Sequence, residues 1–167
     1  MRTALFALAL AMIAPLSFGQ TDDETIESAP IVKIINFTAD WCPNCQVVDP
    51  RIDEVLERQT PGEFELVKLD MTRTWRASDD VKLEVFADII RTADGHNAGY
   101  LWDWYGGRTG ISVLIAADTG EPISCITAAL DTDQIDFRFA EARILALRAP
   151  AGLRKPDGPS CPPPLNM

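Results

Sequence analysis

The segment Cys42-Pro43-Asn44-Cys45 constrains this chain most, because it lies between a run of β-branched residues and a stretch with helical periodicity. Ile31 to Phe37 reads IVKIINF, which suits a buried strand better than a helix. From about Asn44 to Arg58, Val47, Val48, Ile52, Val55 and Leu56 recur at helical spacing, so the cysteines fall where a strand turns into a helix. Pro50 lies inside that helix and is expected to kink it. A bridge across two intervening residues restrains the unfolded chain very little, so stabilisation explains it poorly. Reactivity explains it better. A thiolate, not a thiol, attacks a disulfide, and the free N–H groups and dipole at a helix N-terminus favour negative charge on the first cysteine. Cys42 is therefore the candidate nucleophile. Cys45, one turn inside, reaches only Cys42 and resolves it. The remaining uses of such a pair are half a zinc site or an inert bridge; zinc normally takes four ligands, and the single histidine is His96.

Beyond the cysteines, Phe64 to Leu69 reads as a second strand. Ser78 to Ala93 reads as a helix with Val81, Val85, Ile89 and Ala93 on one face and Gly95 as its stop. A β-α-β start implies parallel pairing. Tyr100 to Tyr105 (YLWDWY) suits one or two helical turns before Gly106-Gly107. Ile111 to Ala116 and Pro122 to Thr127 read as strands joined at Asp118-Thr119-Gly120, a hairpin signal that makes this pair antiparallel. Asp131 caps a last helix, with Gln134 three residues on and Ile135, Phe139, Ala142 and Leu145 on one face to about Arg148. Residues 20–30 read as a flexible leader. Residues 149–167 hold six of the twelve prolines and are expected to be a disordered tail. The fold class is α/β, a central mixed sheet flanked by helices.

The first nineteen residues read as an address. Met1 and Arg2 give a positive start, Leu5 to Leu16 is almost wholly apolar, and Ser17 and Gly19 are small residues placed for a cut before Gln20. A cleaved signal peptide over 1–19, with a periplasmic or secreted product, follows. An uncut anchor fits less well, since the apolar run is shorter than the ~20 residues that span a bilayer. Removal leaves 148 of 167 residues, enough for one domain. The net charge of -10 disfavours nucleic acid and anionic lipid as partners. A monomer is expected.

The run Phe37-Thr38-Ala39-Asp40-Trp41-Cys42-Pro43-Asn44-Cys45 resembles the active-site strand and helix of thioredoxins. It is most similar to the periplasmic reductase domain of transmembrane thiol-disulfide interchange proteins. Pro50 matches the family's helix proline, Lys68 in Val67-Lys68-Leu69-Asp70 matches the lysine on the neighbouring strand, and Asp118-Thr119-Gly120-Glu121 resembles the turn between the last two strands. The likeness covers roughly residues 31–147, apart from an insertion at about 73–107. It implies a thioredoxin-like fold over 31–148 and disulfide exchange through Cys42 and Cys45 with Lys68 nearby. It also implies substrate contact from Trp41, Pro43, Ile111 and Ser112, and no cofactor.

Three departures from the family stand out. Asn36 occupies the place of a buried acid six residues before the first cysteine, and an amide cannot accept a proton. Asp49, one turn beyond Cys45, matches an acidic position of the interchange proteins and is the candidate base; a solvated helix carboxylate is the plainer reading. The sequon Asn36-Phe37-Thr38 reads as strand. Ser112 stands where the family has a cis-proline. A cis bond before a non-proline costs ~2.5 to 4 kcal/mol, so Ile111-Ser112 is expected trans. Ser112 then either offers its hydroxyl to the Cys42 sulfur, leaves the site open to a metal ion, or simply fills space. Finally, the insertion carries Trp75, His96, Tyr100, Trp102, Trp104 and Tyr105, suited either to gripping a protein partner or to packing an extra helix.

Cys125 falls on a strand and Cys161 in the tail. Pairing across the sheet, a free buried Cys125 and intermolecular use of Cys161 all stay open. The expected function is exchange of dithiol and disulfide with protein substrates, as a reductase fed by a membrane electron donor. The uncharged Asn44 supports that direction, because strong oxidants of the superfamily often carry histidine there. The rival reading is a module that holds a soft metal such as Cu(I) on the same cysteines, for metallocentre or cytochrome assembly.

Overall fold

The computed structural model describes residues 29–165; the expected signal peptide, the leader up to Ser28, and Asn166 and Met167 lie outside them. The elements are β1 (Val32–Thr38), α1 (Pro43–Leu56), β2 (Phe64–Asp70), α2 (Asp79–Gly95), α3 (Tyr100–Tyr105), β3 (Ile111–Ala116), β4 (Pro122–Thr127) and α4 (Thr132–Arg148), with a 3-10 turn at Thr72–Thr74. One sheet runs in the order β2-β1-β3-β4. β1 pairs parallel with β2, while β1 with β3 and β3 with β4 pair antiparallel, which is the expected mixed sheet. At the hairpin, Gly120 has φ 76° and a Cβ there would strike the Asn97 carbonyl, so only glycine fits. Asp131 and Gln134 exchange the two hydrogen bonds of a capping box at the start of α4.

Each strand alternates between two cores. Val32, Ile34, Leu114 and Ala116 pack with Val48, Ile52 and Val55 of α1 and with Ile135, Phe139 and Ala142 of α4. Ile35, Phe37, Val67, Leu69, Ile111, Val113 and Ile115 face the other way, onto Val85, Ile89 and Ala93 of α2 and Leu101 and Tyr105 of α3. The helices α2 and α3, within the expected insertion, thus pack on one face of the sheet, where Cys161 of the tail joins them at β4. Tyr105 is fully buried, and Tyr100, Trp102 and Trp104 pack partly buried against the same core. Burial lifts the Tyr100 hydroxyl well above its ordinary pKa, and it donates to the Gly120 carbonyl at 2.7 Å. Trp75 is different, with 59% of its surface exposed.

Residues 149–165 correct the expectation of a disordered tail. Ser160 forms a parallel bridge with Ser124 of the edge strand β4, through Cys125 N–H to the Ser160 carbonyl (3.1 Å) and Ser160 N–H to the Ile123 carbonyl (3.2 Å). Cys125 and Cys161 form a disulfide. Proline lacks an N–H but keeps its carbonyl, and Pro162 accepts from the Tyr105 hydroxyl at 2.7 Å. Leu165 N–H donates to the Trp104 carbonyl at 2.9 Å. Arg154, only 5% exposed, donates to both oxygens of Asp118 (2.8 and 2.7 Å), and Lys155 reaches Glu141 at 2.8 Å. Composition signalled loss of helix and strand here, but side-chain partners and one bridge order the segment without either.

Candidate active site

Cys42 is the N-cap of α1, with extended backbone (φ -87°, ψ 113°) and its sulfur accepting from the Cys45 N–H at 3.1 Å. Pro43 opens the helix, where its missing N–H costs nothing. The two cysteines form a disulfide with Cα atoms 5.2 Å apart, and both are almost fully buried. The Cys42 sulfur therefore sits on the positive end of the helix, where charge released on reduction meets a backbone donor. Opposite it comes Gly110, at the mouth of β3, with φ 77° and its N–H on the Phe37 carbonyl. A Cβ on Gly110 would lie 3.4 Å from the Cys42 sulfur and 2.6 Å from the Asn44 Cβ. Bare backbone is what β3 presents to the disulfide there. Sequence reasoning passed over Gly110, although a glycine opening the strand that faces a dithiol is a signal for close approach.

Asn36 and Thr38 lie two residues apart on β1 and so share one face, the face that α1 covers. Both turn to Asp49. The Asn36 amide donates to one carboxylate oxygen at 3.1 Å and the Thr38 hydroxyl to the other at 2.6 Å. Across the β1–β3 register Asn36 faces Ser112, whose hydroxyl donates to the amide oxygen at 2.9 Å. That bond fixes which way the amide points and leaves its N–H groups for Asp49. Asp49 is half-buried one helical turn after Cys45, so helix periodicity puts both on one side of α1. Asp49 is thus a held acceptor rather than a freely solvated carboxylate. Asn36, at 1% exposure, is closed to glycosylation.

The structure places the other expected residues unequally. Ser112 does not offer its hydroxyl to Cys42, because that proton goes to Asn36 in a fully buried site. Ile111 is also buried, in the core against α2 and α3, so neither side chain is open to a docking chain. Antiparallel pairing on both sides of β3 shuts them in. Among the described residues every peptide bond is trans, Ile111-Ser112 included. Lys68 is exposed beside Asn36 in the β1–β2 register and makes no ion pair with Asp49. His96 faces Glu65 at 3.5 Å rather than the cysteines. Among the described residues no group of three or more His, Cys, Asp or Glu is placed to hold a metal.

Pro43 is exposed beside the disulfide, and Trp41 is partly buried. The Trp41 indole N–H donates to the Met71 carbonyl at 3.3 Å, and its ring stacks on Trp75 with centroids 5.5 Å apart. Asp40 N–H donates to the Thr72 hydroxyl at 2.9 Å. The start of the insertion is therefore fastened to the loop that carries Cys42.

A thioredoxin family model matches residues 18–110. Among solved structures, a thiol:disulfide interchange protein of the thioredoxin family from Chlorobium tepidum TLS is similar, with 21% identity and a TM-score of 0.45, over 68% of this chain and 80% of that one. StoA from Bacillus subtilis has 18% identity and a TM-score of 0.42, over 66% of this chain and 84% of its own. No curated protein matches. With the family model spanning more than half of the sequence and the CxxC disulfide capping the helix that follows β1, this chain belongs to the thioredoxin family.

Proposed function

We propose that this protein is an exported thiol-disulfide oxidoreductase that reduces disulfides in protein substrates. The observation that carries the reading is the Cys42 sulfur at the N-terminus of α1, 3.1 Å from the Cys45 N–H, with Cys45 positioned only to reach it. In the reduced protein the Cys42 thiolate attacks one sulfur of a substrate disulfide. An S–S bond forms between protein and substrate, and the first substrate sulfur leaves as a thiolate and takes a proton from solvent. Cys45 then gives its proton to Asp49 and attacks the Cys42 sulfur. The second substrate sulfur leaves and is protonated in turn. Two electrons have passed to the substrate, and the protein holds the Cys42–Cys45 disulfide until a membrane dithiol donor returns it to the reduced form.

The proposed direction is supported by the immediate neighbours of Cys42. Asn44 and Gly110, both uncharged, stand near its sulfur, so the reduced state has the helix terminus as support without a charged residue between the two cysteines. A reduced state stabilised less gives up electrons more readily. Export is supported by the N-terminal pattern and by Cys125–Cys161, a bridge between distant segments of the kind that persists in oxidising compartments. A Cys45→Ala variant expressed with its leader should accumulate a mixed disulfide on Cys42 that non-reducing gels and mass mapping identify. An empty trap would sink the exchange reading. A reduction potential near the roughly -120 mV of a strong oxidant would reverse the proposed direction.

A further inference from the structure

Between β2 and α2 the chain makes an aromatic ledge at the edge of the dithiol. Four contacts hold it: Met71 N–H to the Thr38 carbonyl at 2.8 Å, Asp40 N–H to Thr72, the Trp41 indole to the Met71 carbonyl, and Trp75 stacked on Trp41 at an interplanar angle of 28°. Stacking of this kind stabilises a ring pair beyond simple burial. Despite it Trp75 is, among the described residues, the most exposed of the large aromatic rings apart from Phe137, with 59% of its surface open. Arg76 follows with φ 54°, a left-handed conformation that costs a non-glycine residue energy, and its guanidinium lies 5.6 Å from the centre of the Trp75 ring. Other aromatic residues of the insertion, Tyr100, Trp102 and Trp104, are packed into the core. The Trp75 ring thus packs on the residue next to Cys42 and still leaves more than half of its surface open.

We infer that Trp75 is a specificity residue of the exchange site, which receives an apolar or aromatic side chain flanking the target cysteine of an extended substrate segment. This rests on the exchange reading above. The ledge is continuous with Trp41, so a segment whose cysteine reaches Cys42 lays its neighbouring side chain over the Trp75 edge. Arg76 gives the passing main chain a donor for a carbonyl. The flat indole accepts many apolar shapes, which suits a protein that meets varied cysteines in unfolded chains.

The test uses the full mature protein, reduced, and three disulfide probes: two synthetic peptide disulfides that carry Phe or Gly beside the cysteine, and hydroxyethyl disulfide. Wild type should show a KM for the Phe peptide about tenfold below that for the Gly peptide, with similar kcat. Trp75→Ala should erase that difference and leave the rate with hydroxyethyl disulfide unchanged, while Trp75→Phe keeps most of the preference. A wild type with no preference, or a preference that survives Trp75→Ala, overturns the inference. Parallel loss with all three probes also overturns it, since that marks Trp75 as a prop for the active-site loop. Failure of the exchange reading looks different: wild type then reduces no probe, and the inference falls with it.

Discussion

Cys42 and Cys45 are 3 positions apart at one helix terminus, whereas Cys125 and Cys161 are 36 apart and join an edge strand to the C-terminal segment. By the chain-entropy relation the short loop stabilises by only about 1.6 kcal/mol and the long one by about 4 kcal/mol. Their surroundings differ in the same sense. Around the first pair stand a helix N-terminus and a half-buried carboxylate held by Asn36 and Thr38, groups that in the proposed mechanism serve a thiolate and a departing proton. Around the second stand strand hydrogen bonds and the carbonyl of Pro159, which hold the joined state together. The same bond acts as an electron store where the neighbours accommodate its cleaved form, and as a staple where they accommodate only its closed form.

Removing each bridge breaks that comparison most directly. Cys42→Ser should abolish exchange with any disulfide probe, and it should lower stability by no more than about 1.6 kcal/mol. Cys125→Ala combined with Cys161→Ala should do the reverse, lowering stability by about 2 to 4 kcal/mol in denaturant titration while exchange continues. Loss of exchange in the double variant with its fold intact would mean that the second bridge also takes part in electron transfer.

A smaller effect sharpens the contrast in proton handling. Asp49→Asn should slow exchange with a defined substrate about tenfold or more and leave the denaturation midpoint nearly unchanged. Reduction of Cys125–Cys161 by an added dithiol should proceed at the same rate in both proteins, because Asp49 is on α1 and that bridge is on β4. Ser112→Ala should slow exchange less, through an Asn36 amide no longer held toward Asp49. An unchanged rate in Asp49→Asn removes it from the chemistry.

How much of this was legible in the sequence depended on the range of the interaction. Strands and helices with a clear period, such as Ile111–Ala116 and Thr132–Arg148, were readable because each residue's environment repeats locally. So was the dithiol, since strand, cysteines and helix are contiguous. Asn36 and Ser112 read as two separate departures from the family, yet they are one feature: the register sets them opposite each other, and a hydrogen bond joins them. Register between strands 76 residues apart is not written in either segment. The tail misled for a related reason. Its order comes from Asp118, Glu121, Tyr105 and Cys125, all remote in sequence, and prolines alone signal only what a segment does not form.

The weakest effect concerns what holds the tail once its staple is gone. The guanidinium of Arg154 donates to Asp118 and holds that carboxyl below its ordinary range; burial tends to raise it and only partly offsets the hydrogen bond. Burial pushes Glu141 up, but hydrogen bonds from Lys155 and Arg138 outweigh it and leave the carboxyl lowered. A carboxyl whose folded pKa is depressed adds stability that is present above its unfolded value and lost as pH falls through the folded one. Tail docking should therefore be steady at neutral pH and weaken below about pH 4. Asp118 is largely exposed, so solvent screens its share and the change is modest. In the Cys125→Ala, Cys161→Ala variant, protection of the Leu153 and Gly158 amides of the tail should fall as pH drops from neutral to below about 4. In wild type the bridge keeps the tail against β4, so the drop should be smaller. Equal protection across that range in the variant would show that the ladder at Ser160 and the Tyr105 contact hold the tail without help from its ion pairs.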